Sequence, residues 1–185
     1  KNHMSLKADS IQLGEVDRLL DSPISFEGKA NLTSEVDFYP NFDGQPEGDF
    51  QLVTKGLKIL PGTIPTQFGP VPLPAISWSQ LLLKAKIATT NLTLEEFVFG
   101  SSKDPMYGRA KGSMNIKIDP NGAILGAYDL KVELTLTTAA EREYETFLIM
   151  IKDYRQHTGD GGKYVFRASA NSAYGQPNIG RLSTF

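Results

Sequence analysis

The sequence contains no cysteine, only two histidines and a single tryptophan among 185 residues. Without thiols there is no disulfide, no iron–sulfur cluster and no thiolate metal site, and the redox compartment stays open. Histidine is the commonest general acid or base, and here only His3 and His157 exist. His3 falls within Lys1-Asn2-His3-Met4, which reads as a cloning remnant, so the natural protein is expected to begin upstream and residues 1–4 are left out of the domain. His157 is expected at the exposed end of a helix. The formal net charge of −2 lacks the basic excess of a nucleic-acid binder. No apolar run approaches the roughly 18 residues of a membrane span, and none resembles a signal-peptide core.

The motifs that could carry chemistry fall short of it. Glu95 and Glu96 are adjacent, and neighbouring strand residues point to opposite faces, so they do not make a carboxylate pair. Asp119-Pro120-Asn121-Gly122 lacks the later glutamate and the repeated acidic spacing of a calcium loop, and reads as a turn. Gly108-Arg109-Ala110-Lys111-Gly112 opens no helix and is no phosphate loop; its glycines suit a crowded or bending strand. Asn31-Leu32-Thr33 and Asn91-Leu92-Thr93 match the glycosylation sequon but lie within strand patterns. We therefore expect no catalytic residue, no metal, no cofactor and no enzymatic activity.

What the chain does have is alternation. From Ile24 to Phe38, apolar or small residues fall at Ile24, Phe26, Gly28, Ala30, Leu32, Val36 and Phe38, with charged or polar residues between them. A period of two puts the first set on one face of a strand. At roughly 3.3 Å per residue the run would span about 50 Å, several times an ordinary strand. Ser5–Leu13 alternates as well, and Val16, Leu19 and Leu20 suggest a short helical turn stopped by Pro23. Phe50, Leu52 and Thr54 give way to Leu57 and Ile59, a parity switch beside Gly56 of the kind a β-bulge produces. The proline-rich stretch 61–74 is expected to be an irregular segment laid against the sheet. Strands are then expected over 76–89, 92–99, 107–118, 128–136 and 164–170.

One helix is expected over Ala139–Gln156. Thr138 and Glu141 have capping-box spacing, and Ala140, Tyr144, Phe147, Leu148, Ile151 and Tyr154 form an apolar stripe. The fold class that results is mostly β (α+β). It is a long curved antiparallel sheet with one amphipathic helix packed on it near the C-terminus, forming a single domain over 5–185. The apolar positions that would line a groove or a partner surface are Phe26, Trp78, Leu83, Leu134, Tyr144, Phe147 and Ile151.

The second half of the chain resembles the type II secretion system protein N family, itself similar to AsmA-like periplasmic proteins. The likeness is carried by 76–87, by Leu92-Thr-Leu-Glu-Glu-Phe-Val-Phe-Gly100, by 108–119, by Tyr128-Asp-Leu-Lys-Val-Glu-Leu134, and by an ending at 164–172 followed by Pro177. The resemblance implies a periplasmic domain tethered to the bacterial inner membrane by an anchor outside this sequence, with other secretion-machinery proteins as partners. Two functions follow from it. One is a non-enzymatic assembly component of the secretion machine, pairing through open strand edges. The alternative is an AsmA-like domain that binds or transfers lipid in an apolar groove.

Overall fold

The computed structural model describes residues 1–15, 25–41, 43–66, 69–120, 122–157, 159, 161–172, 177–182 and 185. Ten strands precede the helical segment: β1 (Asn2–Gln12), β2 (Phe26–Glu27), β3 (Lys29–Phe38), β4 (Glu47–Ile59), β5 (Gly62–Thr66), β6 (Gly69–Leu73), β7 (Ile76–Ala88), β8 (Asn91–Phe99), β9 (Met106–Asp119) and β10 (Gly122–Leu136). The helical segment consists of α1 (Thr138–Glu143), α2 (Glu145–Leu148) and a 3-10 turn at Lys152–Tyr154. Strands β11 (Arg155–His157), β12 (Gly162–Ala170) and β13 (Asn178–Arg181) complete the chain.

Eleven strands form one antiparallel sheet in the order β1-β3-β4-β7-β8-β9-β10-β12-β11, with β2 added to β4 and β13 to β12. Neighbours follow one another along the chain, with the β5-β6 hairpin inserted between β4 and β7 and the helical segment and β11 between β10 and β12. The expected 15-residue strand is divided at Gly28. Pairing sums differ by one residue between Phe26↔Ile59 and Ala30↔Thr54, which places the bulge opposite Gly56. The parity switch at Lys55-Gly56 was a true signal of it. Residues Asn2–Met4, set aside as a remnant, are paired with Phe38–Val36.

Three expectations are corrected. The proline-rich segment is not irregular: β5 and β6 pair as a separate hairpin, with Pro65 opposite Pro70. A two-stranded ribbon has an outer edge on each strand, where proline's missing donor costs no ladder bond. The single long helix is broken at Tyr144, whose φ of −100° and ψ of 15° leave the helical region. It then gives way to β11, so His157 lies in a strand opposite Gly162 and does not end a helix. The N-cap is Thr137, whose side chain accepts from the Ala140 amide at 3.3 Å. The capping residue is therefore one position earlier than the box predicted, and Glu141 is turned to other partners. The short helix expected around Val16, Leu19 and Leu20 lies outside the described residues.

Gly112 shows why glycine occupies β9. Its φ is +151°, and a Cβ there would collide with the Asp129 carbonyl oxygen of β10. At Gly108 a Cβ would meet the Phe99 ring at 2.7 Å, so the missing side chain lets that ring lie across β9.

Candidate functional site: an uncharged trough

Antiparallel register decides which side chains share a face. Leu6, Ser34, Phe50, Ala85, Leu94, Gly112, Leu130 and Ala168 are partners in one row that crosses β1, β3, β4, β7, β8, β9, β10 and β12. The next row toward the helical segment is Ala8, Leu32, Leu52, Leu83, Phe97, Ala110, Val132 and Phe166. One further row lies on each side, from Met4 to Ala170 and from Ile11 to Tyr164. No position in the four rows carries a charge. Seven interstrand steps of about 4.8 Å make the apolar floor about 34 Å across.

The opposite face carries the charges, cross-linked beside an apolar strip of Val53, Leu82 and Val98. Lys84 pairs with Glu96 at 2.8 Å, Arg109 and Lys163 both reach Glu133 at 3.2 and 3.1 Å, and Arg167 pairs with Asp129. Burial raises the Glu133 carboxyl, but the hydrogen bonds from Lys163 and Arg109 outweigh it and hold the group below its usual range. The charges of the strand sequences have thus all been sorted to one side.

The described residues place no second sheet over the apolar face. Leu32, Leu52, Leu83, Phe97, Leu130 and Val132 are half-buried, and Ser34, Ala85, Ile87 and Ala110 of the same rows are buried. The chain as a whole exposes 11426 Å². A compact protein of 20.3 kDa would expose about 8,800 Å².

One end of the trough is closed. Leu136, Ala140, Tyr144, Leu148, Ile151, Tyr164 and Phe166 make a buried cluster under the helical segment. That segment is tied across the lower ends of the strands: Tyr144 donates its hydroxyl to the Ala75 carbonyl at 2.9 Å, ahead of β7, and the Thr137 amide donates to Pro105 at 2.9 Å. Arg155 forks onto Glu141 at 2.7 and 2.9 Å, and the Tyr164 hydroxyl donates to the same carboxylate at 2.6 Å. Burial first, and then that bond, push the Tyr164 phenol up to about 12. A second cluster of Leu57, Leu81 and Phe99 lies beside it, with the Trp78 ring tilted against Phe99 at 5.0 Å between centroids. The other margins are open: Leu125 is 38% exposed, and Met4 and Leu6 on β1 are 44% and 40% exposed.

Against this geometry the expected lining residues divide. Leu83 and Leu134 stand on the floor, and Phe26 and Trp78 pack against the second cluster. Tyr144 and Ile151 are buried beneath the cap. Phe147 is half-buried and belongs to neither cluster, because the break at Tyr144 rotates it off the stripe. Sequence reasoning passed over Leu52, Phe97 and Thr54, whose alternation was visible but whose alignment into rows depends on register. Glu95 is the extra residue of a bulge in β8 and is exposed, while Glu96 answers Lys84.

No protein-family model matches the chain, and no curated protein or solved structure matches it significantly.

Proposed function

We propose that the protein is a non-enzymatic carrier that holds the acyl chain of a lipid along its uncharged trough, the AsmA-like reading of the two. The observation that supports it is the set of four uncharged rows, continuous over eight strands and without a covering layer among the described residues. Soluble monomers seldom expose contiguous apolar patches above a few hundred Å², and larger ones mark ligand, partner or membrane sites. Each methylene laid on such a floor contributes about 0.8 kcal/mol, so a chain of more than ten carbons binds without a single polar contact. Native mass spectrometry of protein purified without detergent should show lipid adducts. Delipidated protein should take up an acyl fluorophore from vesicles, and Leu83→Glu should abolish uptake while leaving strand content unchanged. A lipid-free spectrum together with no uptake would remove this reading.

A second reading, assembly into a type II secretion machine at the periplasmic side of the inner membrane, draws support from β1. Among the described residues that strand pairs only with β3, which leaves its outer edge as a place for strand addition by a partner. A proline placed at a non-bonded position of that edge should block such a partner and leave lipid uptake intact.

A further inference from the structure

The capped end of the molecule carries apolar surface on its outside that the trough does not use. Ile149 and Met150 are 59% and 57% exposed, the most of any large apolar side chain among the described residues, while Leu148 and Ile151 on either side are buried in the cap cluster. Beside the cap stands the ribbon of β5 and β6, whose strands pair only with each other among the described residues. Its root is fixed to the cap: Leu73 is buried, the Ala75 carbonyl accepts the Tyr144 hydroxyl at 2.9 Å, and Ile76 packs on the same cluster. Between Lys58 and Lys84 the sequence has no charged residue. The ribbon is also short of outward donors. Proline cannot donate, so Pro65 and Pro70 form a non-bonded pair, and by antiparallel alternation Thr63 and Pro72 form another. These four positions turn their backbone groups outward, and Thr63 alone of them has an N–H.

We infer that this end docks on the interfacial region of a neutral phospholipid bilayer, with Ile149, Met150 and the β5–β6 ribbon entering it together. The inference rests on the acyl-carrier reading and adds the surface from which the cargo is taken. The backbone favours a bilayer over a protein as the occupant. A partner strand needs donors on the edge it joins, and Pro65, Pro70 and Pro72 remove them. An unmatched N–H is costly where lipid replaces water, and the same prolines take that cost away. Charge then sets the kind of lipid. The ribbon has none, and from Glu141 to Arg155 acids outnumber bases, so no cationic excess selects anionic headgroups. Two short protrusions reach only the interfacial layer, as an apolar face lying in the membrane plane does.

Flotation of the delipidated protein with phosphatidylcholine vesicles tests this. The protein should float with them equally well in low and high salt. Ile149→Ser and Met150→Ser should each weaken vesicle binding about tenfold, the loss of roughly two buried methylene groups. Thr63→Asp, at an exposed position of the ribbon, should weaken it several-fold. Ile124→Ser is the control: Ile124 is 55% exposed near the start of β10, at the other end of the strands from the cap, and its replacement should change nothing. All four variants should melt like the parent and bind an acyl probe in solution as it does, while uptake of the acyl fluorophore from vesicles slows in step with vesicle affinity. No flotation, flotation that needs anionic lipid and vanishes in high salt, equal loss in Ile124→Ser, or undiminished binding in the three cap-end variants would overturn the inference; acyl-probe binding retained in solution would still spare the carrier reading. Lost self-association in place of lost vesicle binding would make a second copy the occupant and overturn it as well. The expected flotation pattern without any acyl-probe binding would uphold the docking surface and remove the carrier reading.

Discussion

Replacing Leu136, Leu83 and Phe147 one at a time by alanine separates a sealed core from a cargo-facing floor. Leu136 is 1% exposed beneath the helical segment, inside the larger buried cluster. Truncating such a leucine removes its transfer free energy and leaves a cavity, about 2–5 kcal/mol together. In a domain of this size each kcal/mol lowers the melting temperature by about 2–4 °C, so at about 3 kcal/mol Leu136→Ala should melt about 6–12 °C early. Leu83 lies two rows away on the floor and is only half-buried. Three carbons at about 0.8 kcal/mol each, half of it already forfeited to solvent, put its cost near 1 kcal/mol and its shift at about 2–4 °C. Phe147, half-buried and outside both clusters, should behave like Leu83 in melting. The functional ranking should not follow the stability ranking. At a temperature where all three are folded, acyl-probe binding should fall several-fold in Leu83→Ala and stay near normal in the other two. Thermal denaturation of delipidated protein, followed by circular dichroism and paired with probe titration, reads both quantities. If Leu83→Ala melts as early as Leu136→Ala, the floor is a sealed core and the carrier reasoning fails.

Two further outcomes follow from the sheet itself. Gly112→Ala combines a φ of +151° with a collision against the Asp129 carbonyl, and should cost about 2 kcal/mol or more by urea denaturation; an unchanged midpoint would show that β9 and β10 part freely there. Glu133 has a lowered pKa when folded, so its contribution is fully present above the unfolded value of 4.5 and is lost as pH falls through the folded one. The urea midpoint should therefore drop on acidification below that range, and Glu133→Gln should flatten part of the drop; an identical acid limb in the variant would refute the assignment.

The sequence by itself determined that this is a β protein with one apolar and one charged face. The alternation that dominates the stretches that became β3, β7, β9, β10 and β12 matches a strand period and no helical one. It also determined the bulge at Gly56, because a one-residue change of parity has no other cheap explanation in a strand. It misjudged the C-terminal helix, since the stripe from Ala140 to Tyr154 satisfies a helical pattern as well as a broken chain does. Only tertiary contacts, the Tyr144–Ala75 bond and the pairing of Arg155–His157 with β12, made the break preferable to continued helix. The hairpin of β5 and β6 was hidden for a related reason: proline forbids a central strand but tolerates an edge, and which of the two a segment occupies is settled by its neighbours.

The trough belongs wholly to the tertiary structure. Each strand declares its own apolar face, but whether eight such faces lie on the same side, in register and uncovered, depends on hairpin lengths and bulges that act between strands. The exposure of Ile149 and Met150 is equally silent in the sequence, where Phe147 to Ile151 is one apolar run. It acquires meaning only when Leu148 and Ile151 turn into the cap cluster and leave those two outside. Local patterning is a property of single strands, whereas a binding surface is a property of their alignment, and alignment is decided by contacts between residues far apart in the chain.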